Sequence, residues 1–204
     1  MKVLLVAEGE HEIGSQGSTG ALKVLVQRLL EIDAEVECDI LGSRDLHIGQ
    51  GKGPDLAKRA AAWLREAQKR GKDALVLLID CDDQIRRLKI LRTAQEDRTI
   101  PLDRAFGVAV QAFDAWMLAD EKAAGKALDL RISAQKNPET IKQPKASFRR
   151  LLSKSPMRKA QSEAYAEIAG SLDVEVLQKR CRKGFAPFAK NVRALTTPSA
   201  SSGS

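Results

Sequence analysis

The stretch Ala74-Leu75-Val76-Leu77-Leu78-Ile79, closed by Asp80-Cys81-Asp82-Asp83, decides the fold. Six unbroken apolar residues followed at once by acid read as a short strand buried on both faces. Such strands belong to parallel sheets with helices on either side. The segment before it begins at Pro54 and stops at Gly71, with Leu56, Ala60, Trp63, Leu64 and Ala67 forming one helical stripe. Further upstream, Glu35–Leu41 alternates like a strand, and Leu22, Leu25, Val26, Leu29 and Leu30 step by three and four after a Gly/Ser loop. Lys2–Ala7 is a second buried strand, and it too ends in acid: Glu8-Gly9-Glu10-His11-Glu12. Downstream, Gln84–Glu96 reads as a helix and Arg104–Gln111 as a fourth strand. Strands alternating with helices predict an α/β fold, a mostly parallel, Rossmann-like sheet flanked by helices.

Beyond Phe113 the pattern changes. Phe113, Trp116 and Met117 are spaced as the buried face of a helix, with Asp114 and Asp120 flanking it. Residues 125–144 read as an irregular loop broken at Asn137-Pro138 and Gln143-Pro144. Pro144 opens a helix to Lys154, with Phe148, Leu151 and Leu152 on one side, and further helical pieces run to Leu195. The expected organisation is an α/β core over 1–124, a basic helical extension over 125–195 packed on it, and a disordered tail over 196–204.

Composition removes several classes. The chain has 204 residues, 43% hydrophobic and only 4% aromatic, so neither collagen, coiled coil nor wholesale disorder fits. No apolar run approaches the ~18 residues of a membrane span, and the acid-rich start does not resemble a signal peptide. Three cysteines without C-x-x-C spacing suggest neither a disulfide framework nor zinc, and a reducing cytoplasm is expected. The net charge of +7 is unevenly spread. Residues 1–110 carry 17 basic and 18 acidic side chains; residues 111–204 carry 17 and 9. Nine cations fall between Arg131 and Lys159 against Glu139 alone, and Lys179, Arg180, Arg182, Lys183, Lys190 and Arg193 form a second cluster. Chemistry in the front half and polyanion contact in the back half are implied.

In an open parallel sheet the functional crevice lies beyond the carboxyl ends of the strands, where strand order reverses. With a 2-1-3 order, Glu8 faces Asp80 and Asp82 from a strand about 4.8 Å away. Clustered carboxylates repel unless a cation neutralises them. Mg²⁺, or Mn²⁺ in its place, suits that role as a hard ion that keeps waters for a substrate phosphate. Asp80 and Asp82 point the same way in extended chain and can share a site. Glu12, Asp83 and Asp114 are candidate supplementary ligands. A competing reading has Asp82 or Asp83 merely capping the helix at Gln84. His11 reads as a surface histidine, His47 as structural, Cys81 as a small buried side chain. Gly49-Gln50-Gly51-Lys52-Gly53 lacks the spacing of a phosphate-binding P-loop; it reads as a basic loop in which Lys52 approaches a nucleic-acid backbone. Lys136, Lys142, Lys145, Arg149 and Arg150 are the candidate backbone contacts, with a solvated helix face as the equally available alternative.

The pairing of strand–Glu8-Gly9 with strand–Asp80-Cys81-Asp82 resembles the TOPRIM domain, the Mg²⁺-binding α/β module of topoisomerases, primases and the overcoming-lysogenization-defect nucleases. More of the chain is similar to a bacterial domain family of unknown function related to TOPRIM proteins. The matching features, in order, are Glu8-Gly9-Glu10-His11-Glu12, Gly51-Lys52, Asp80–Asp82, Asp114-Ala115-Trp116-Met117-Leu118-Ala119-Asp120, Asn137-Pro138-Glu139-Thr140-Ile141, Pro144-Lys145 and Gly184-Phe185. They span most of residues 1–190. Two departures stand out: Asp114 replaces the family's usual Glu, and Gly184 stands where Ser is common. The resemblance implies a TOPRIM-like fold and a metal-dependent nuclease, often encoded beside an ATPase partner in anti-phage or mobile-element defence loci. Glu8, Asp80 and Asp82 would be the catalytic, metal-holding residues.

Three functions compete on the residues. The first is a Mg²⁺-dependent nuclease acting on nucleic acid, DNA ahead of RNA, through sequence-independent backbone contacts. The second is a non-catalytic module docking nucleic acid or an ATPase. The third, a receiver phosphorylated on Asp80, is disfavoured by the long basic extension. Tyr165, the single tyrosine, lies in a charged helical context and does not suggest covalent topoisomerase chemistry.

Overall fold

A computed structural model describes residues 1–14, 19–42, 56–81 and 85–197. Asp82, Asp83, the Gly49–Gly53 loop with Lys52, His47 and the tail from 198 onward lie outside the described residues. Along the chain run β1 (Lys2–Ala7), α1 (Glu10–Ile13), α2 (Ala21–Leu30), β2 (Glu35–Ile40), α3 (Leu56–Lys69), β3 (Ala74–Asp80), α4 (Ile85–Glu96) and β4 (Asp103–Ala109). There follow α5 (Asp114–Met117), α6 (Glu121–Leu128), a 3-10 turn over Pro138–Thr140, α7 (Pro144–Lys154), α8 (Gln161–Ser171), α9 (Val174–Arg180) and α10 (Phe185–Ala194).

The four strands form one all-parallel sheet in the order β2-β1-β3-β4. The expected α/β architecture and the 2-1-3 placement of the first three strands are both present. From β1 the chain steps outward to β2, then crosses back to β3 and on to β4. Because parallel crossovers are right-handed, this reversal sends α2 to one face of the sheet and α3 and α4 to the other. The strand residues split accordingly. Leu4, Val6, Leu75, Leu77, Ile79, Phe106 and Val108 pack with Trp63, Leu64 and Leu91 under α3 and α4. Val3, Leu5, Ala7, Val76 and Leu78 pack with α2 and with the helices beyond residue 113. All seven residues of β3 are buried, as its unbroken apolar run predicts.

Six of the eight aromatic residues fill that second face. Trp116 lies 5.1 Å from Phe185 and 5.6 Å from Phe188, ring centre to ring centre. Tyr165 lies 4.5 Å from Phe148 and 5.9 Å from Phe113. These tilted and edge-on pairs each add about 0.5–1.5 kcal/mol beyond the area they bury. Gly107 makes the contact possible: a Cβ there would stand 2.4 Å from the Phe188 ring, so α10 reaches β4 only across a glycine.

The outer edge of β4 is covered by side chains. The Gln95 amide donates to Arg104 O (2.8 Å) and accepts from Phe106 N–H (2.7 Å), while Asn191 Nδ2 donates to Phe106 O (3.0 Å). The next stretch is approached by Gly184, where a Cβ would meet Val108 O at 2.6 Å and Val110 N at 3.1 Å. Glu139 fixes that approach, its buried carboxylate accepting the N–H groups of Lys183 (2.9 Å) and Gly184 (2.6 Å) at the head of α10. The Asn137-Pro138-Glu139 signal is thus a clamp on a helix start.

Two expectations change. The loop over 125–144 is shorter than expected, because α6 runs through Leu128 and the 3-10 turn occupies 138–140. Asp114 and Asp120 do not share a helix: α5 ends at Met117, and Asp120 caps α6 by accepting from the N–H groups of Lys122 (3.0 Å) and Ala123 (3.1 Å). An Asp that can satisfy two free helix-end donors starts a new helix more readily than it continues one. All three cysteines are free. Among the described residues no helix is long and apolar enough to cross a membrane.

Candidate functional site

The register of β1 on β3, with Ala7 opposite Leu78, delivers Glu8 to the end of β3. There Glu8 Oε2 accepts from the backbone N–H of Asp80 at 2.9 Å. Arg87, in the first turns of α4, staples the two strand ends: its Nη1 donates to Glu8 Oε2 (3.1 Å) and to Asp80 O (2.5 Å). Glu8 is therefore turned toward α4, with about a quarter of its side chain exposed.

Asp80 has the other parity and points to the opposite face. Its carboxylate is buried; Oδ1 accepts from Phe113 N–H at 2.8 Å and Oδ2 pairs with Lys145 Nζ at 2.8 Å. Two further buried acids stand in its field. Glu12 comes from the single turn α1, its Oε2 accepting from Gly9 N–H at 3.3 Å. Its carboxyl is pushed up to about 8 from 4.5, first by loss of solvent and then by the charges of Asp80 and Asp114; Gly9 N–H and Lys145 pull the other way. Asp114, the first residue of α5, accepts the hydroxyl proton of Tyr165, which in turn accepts from Gln161 Nε2 at 2.8 Å. Burial and the Asp114 charge hold that phenol well above its ordinary range, so it remains a donor.

Lys145 and Arg149 project from α7 into a cleft of about 590 Å³ that Lys142 and Gln111 also line. All three cations are exposed. Lys136 is exposed on the loop before the 3-10 turn, and Arg150 is turned about 140° around α7 from Lys145; neither lines the cleft.

The acidic candidates, with Lys145 and Lys52, thus divide into three groups. Asp80, Glu12, Asp114 and Lys145 come together; Glu8 touches this group through the Asp80 backbone; Asp82, Asp83 and Lys52 fall outside the described residues. Sequence reasoning missed Tyr165 and Arg87. Nothing in the local sequence of Tyr165 marks it, since its partner is 51 residues away. Arg87 carries a faint signal, a cation one helical turn into the element that follows an acidic strand end. His11 is exposed and Cys81 buried, as expected.

Among the described residues no three His, Cys, Asp or Glu side chains are already disposed around one point as ion ligands. The donor chemistry nevertheless fits a hard divalent cation. Glu12, Asp80 and Asp114 offer carboxylate oxygens only, and Glu12, raised to about 8, is drawn toward ionisation at neutral pH by positive charge beside it. Lys145 supplies part of that charge at present. Compared with protein-family models, curated proteins and solved structures, the chain matches none.

Proposed function

We propose that the chain is a divalent-metal-dependent phosphodiester hydrolase acting on nucleic acid. One observation carries this reading. Buried acids from three separate segments meet at the strand-order reversal, and the cation that bridges them to solvent, Lys145, lines a basic cleft. Asp80 and Glu12 would hold Mg²⁺ or Mn²⁺, with Asp114 kept in place by Tyr165. A bound ion would neutralise these carboxylates, polarise a phosphoryl oxygen and lower the pKa of a water.

The chain's own residues supply the rest. Lys142 and Arg149 bind the phosphates flanking the scissile bond and orient it. Lys145 exchanges the Asp80 carboxylate for a substrate phosphate, stabilising charge as it develops on the phosphoryl oxygens. Arg87 holds the Glu8 carboxylate and the Asp80 carbonyl in one arrangement, fixing the spacing of the two strand ends. All eight aromatic side chains are buried, which favours backbone contact over base stacking.

A second reading, a non-catalytic nucleic-acid-binding module, draws on the ion pairs themselves: Asp80 and Glu8 already have Lys145 and Arg87 as counter-charges. One assay separates the two. Single- and double-stranded DNA and RNA are incubated with Mg²⁺, Mn²⁺ or EDTA, beside the Asp80→Asn variant. Metal-dependent cleavage lost in the variant is expected; salt-dependent binding without cleavage would establish the module instead.

A further inference from the structure

The second basic cluster of the chain does not stay together in space. Arg180 turns inward to Glu121 and the carbonyl of Ala119, and Lys179 faces Glu175 at 3.7 Å. Arg182, Lys183 and Lys190 instead line a groove of about 690 Å³ between α4 and α10, whose other wall carries Lys89 and Arg92. All five cations are exposed, and none is paired with a carboxylate among the described residues. Leu88, Ala186 and Pro187 make the floor between them. A smaller groove of about 320 Å³ continues along β4 and shares Arg92, Lys183 and Lys190; Glu96 marks where the cationic stretch ends.

We infer that this groove holds the phosphate backbone of a nucleic-acid duplex, as an anchoring surface separate from the cleft beside Asp80. The inference rests on the proposed function only in taking nucleic acid as the ligand. Three observations favour this occupant. Five cations without a carboxylate partner among the described residues line one channel, with no acid in its lining, and suit a polyanion with charge on successive units. Every aromatic ring is buried, so the stacking platforms that hold single strands are missing, and a duplex presents only its backbone to such a surface. The groove also adjoins the candidate active site. Gly184, which lines the smaller groove, stands beside Val110, and the next residue, Gln111, lines the α7 cleft. A polymer lying in the groove is therefore led toward the cleft, whereas a small anion would gain nothing from the continuity.

The test uses the whole chain in EDTA, so that binding is read without cleavage. Anisotropy of a labelled duplex of about 20 base pairs is followed from about 50 to 200 mM salt. The proteins are wild type, a groove variant (Lys89→Gln, Arg92→Gln and Lys190→Gln together) and a cleft variant (Lys142→Gln with Arg149→Gln). The groove variant is expected to bind at least about tenfold more weakly, with the log–log salt slope reduced by about 2.7, as three lost phosphate contacts require. Duplexes of unrelated sequence should respond alike, and the thermal melt should not move, because the substituted side chains are exposed. A groove variant that binds with wild-type affinity and slope overturns the inference, even where the cleft variant fails to bind. Displacement of the duplex by polyglutamate at equal charge overturns it in favour of an acidic protein partner. Tighter binding of single strands than of duplex overturns the choice of duplex. Absence of any binding by wild type overturns it too, and Mn²⁺-dependent hydrolysis of a small phosphodiester, which needs no groove, then reports separately on the proposed active site.

Discussion

Two acidic strand ends lie side by side in this sheet and meet different fates. Glu8, after β1, stays partly exposed and takes a guanidinium from the helix on its own face. Asp80, after β3, is buried on the opposite face among Glu12, Asp114 and Tyr165, with a lysine that is itself half exposed. The pleat makes the difference, since adjacent positions along neighbouring strands address different faces. One side is a finished structural contact. The other draws buried acids from separate segments into one electrostatic field, and such clusters are candidate sites for chemistry.

The contrast can be broken from either side. The largest effect is expected at Asp80. Asp80→Asn should lower metal-dependent phosphodiester cleavage about a thousandfold or more, the several kcal/mol that metal-based charge stabilisation supplies; circular dichroism should confirm the fold. Cleavage that survives would place the chemistry elsewhere.

Glu12 gives the next largest effect, and its sign is fixed. Folding raises its carboxyl from 4.5 to about 8, so its contribution to stability is complete below 4.5 and is lost as pH rises through about 8. Without divalent ions, urea unfolding should show wild type falling behind Glu12→Gln between about pH 5 and 8, on the order of a few kcal/mol. Mn²⁺ at pH 8 should restore wild type and leave the variant unmoved. A pH-independent difference between the two would contradict the burial argument.

Tyr165→Phe removes the donor to Asp114 and is expected to cost about 1–3 kcal/mol in chemical denaturation. It should also weaken metal activation about 10–100-fold, as the loss of a residue orienting a ligand does. The smallest effect belongs to the other strand end. Arg87→Gln disturbs a pair whose side chains are each about a quarter exposed, and a loss of about 1 kcal/mol or less is expected. A larger loss would show that the staple across the strand ends, rather than the buried acids, organises the crevice.

The sheet was legible because its strands are unbroken apolar runs, and β3, buried along its whole length, has the plainest run of all. Asp80 was legible because it follows that run at the strand end where an open parallel sheet carries its crevice. Glu12 and Asp114 were identified only as supplements, since α1 and α5 are single turns too short to show a helical period. Tyr165 was invisible because its role depends on a partner brought by tertiary packing. Charge counting misled in one respect. Dividing the chain at residue 110 assigned Lys89 and Arg92 to a neutral half, whereas folding sets them across a groove from Lys183 and Lys190. Charge along a chain averages over neighbours in sequence, while a ligand meets neighbours in space.

The amide of Gln95 carries the same donor and acceptor as one peptide unit, and it sits where the next strand's peptide would sit. Together with Asn191 it imitates a fragment of a strand that the described residues do not supply. The sheet thereby ends by substitution and not by distance: its boundary is a false neighbour. Without those two side chains β4 becomes a growth front, ready to accept an extended segment from another molecule.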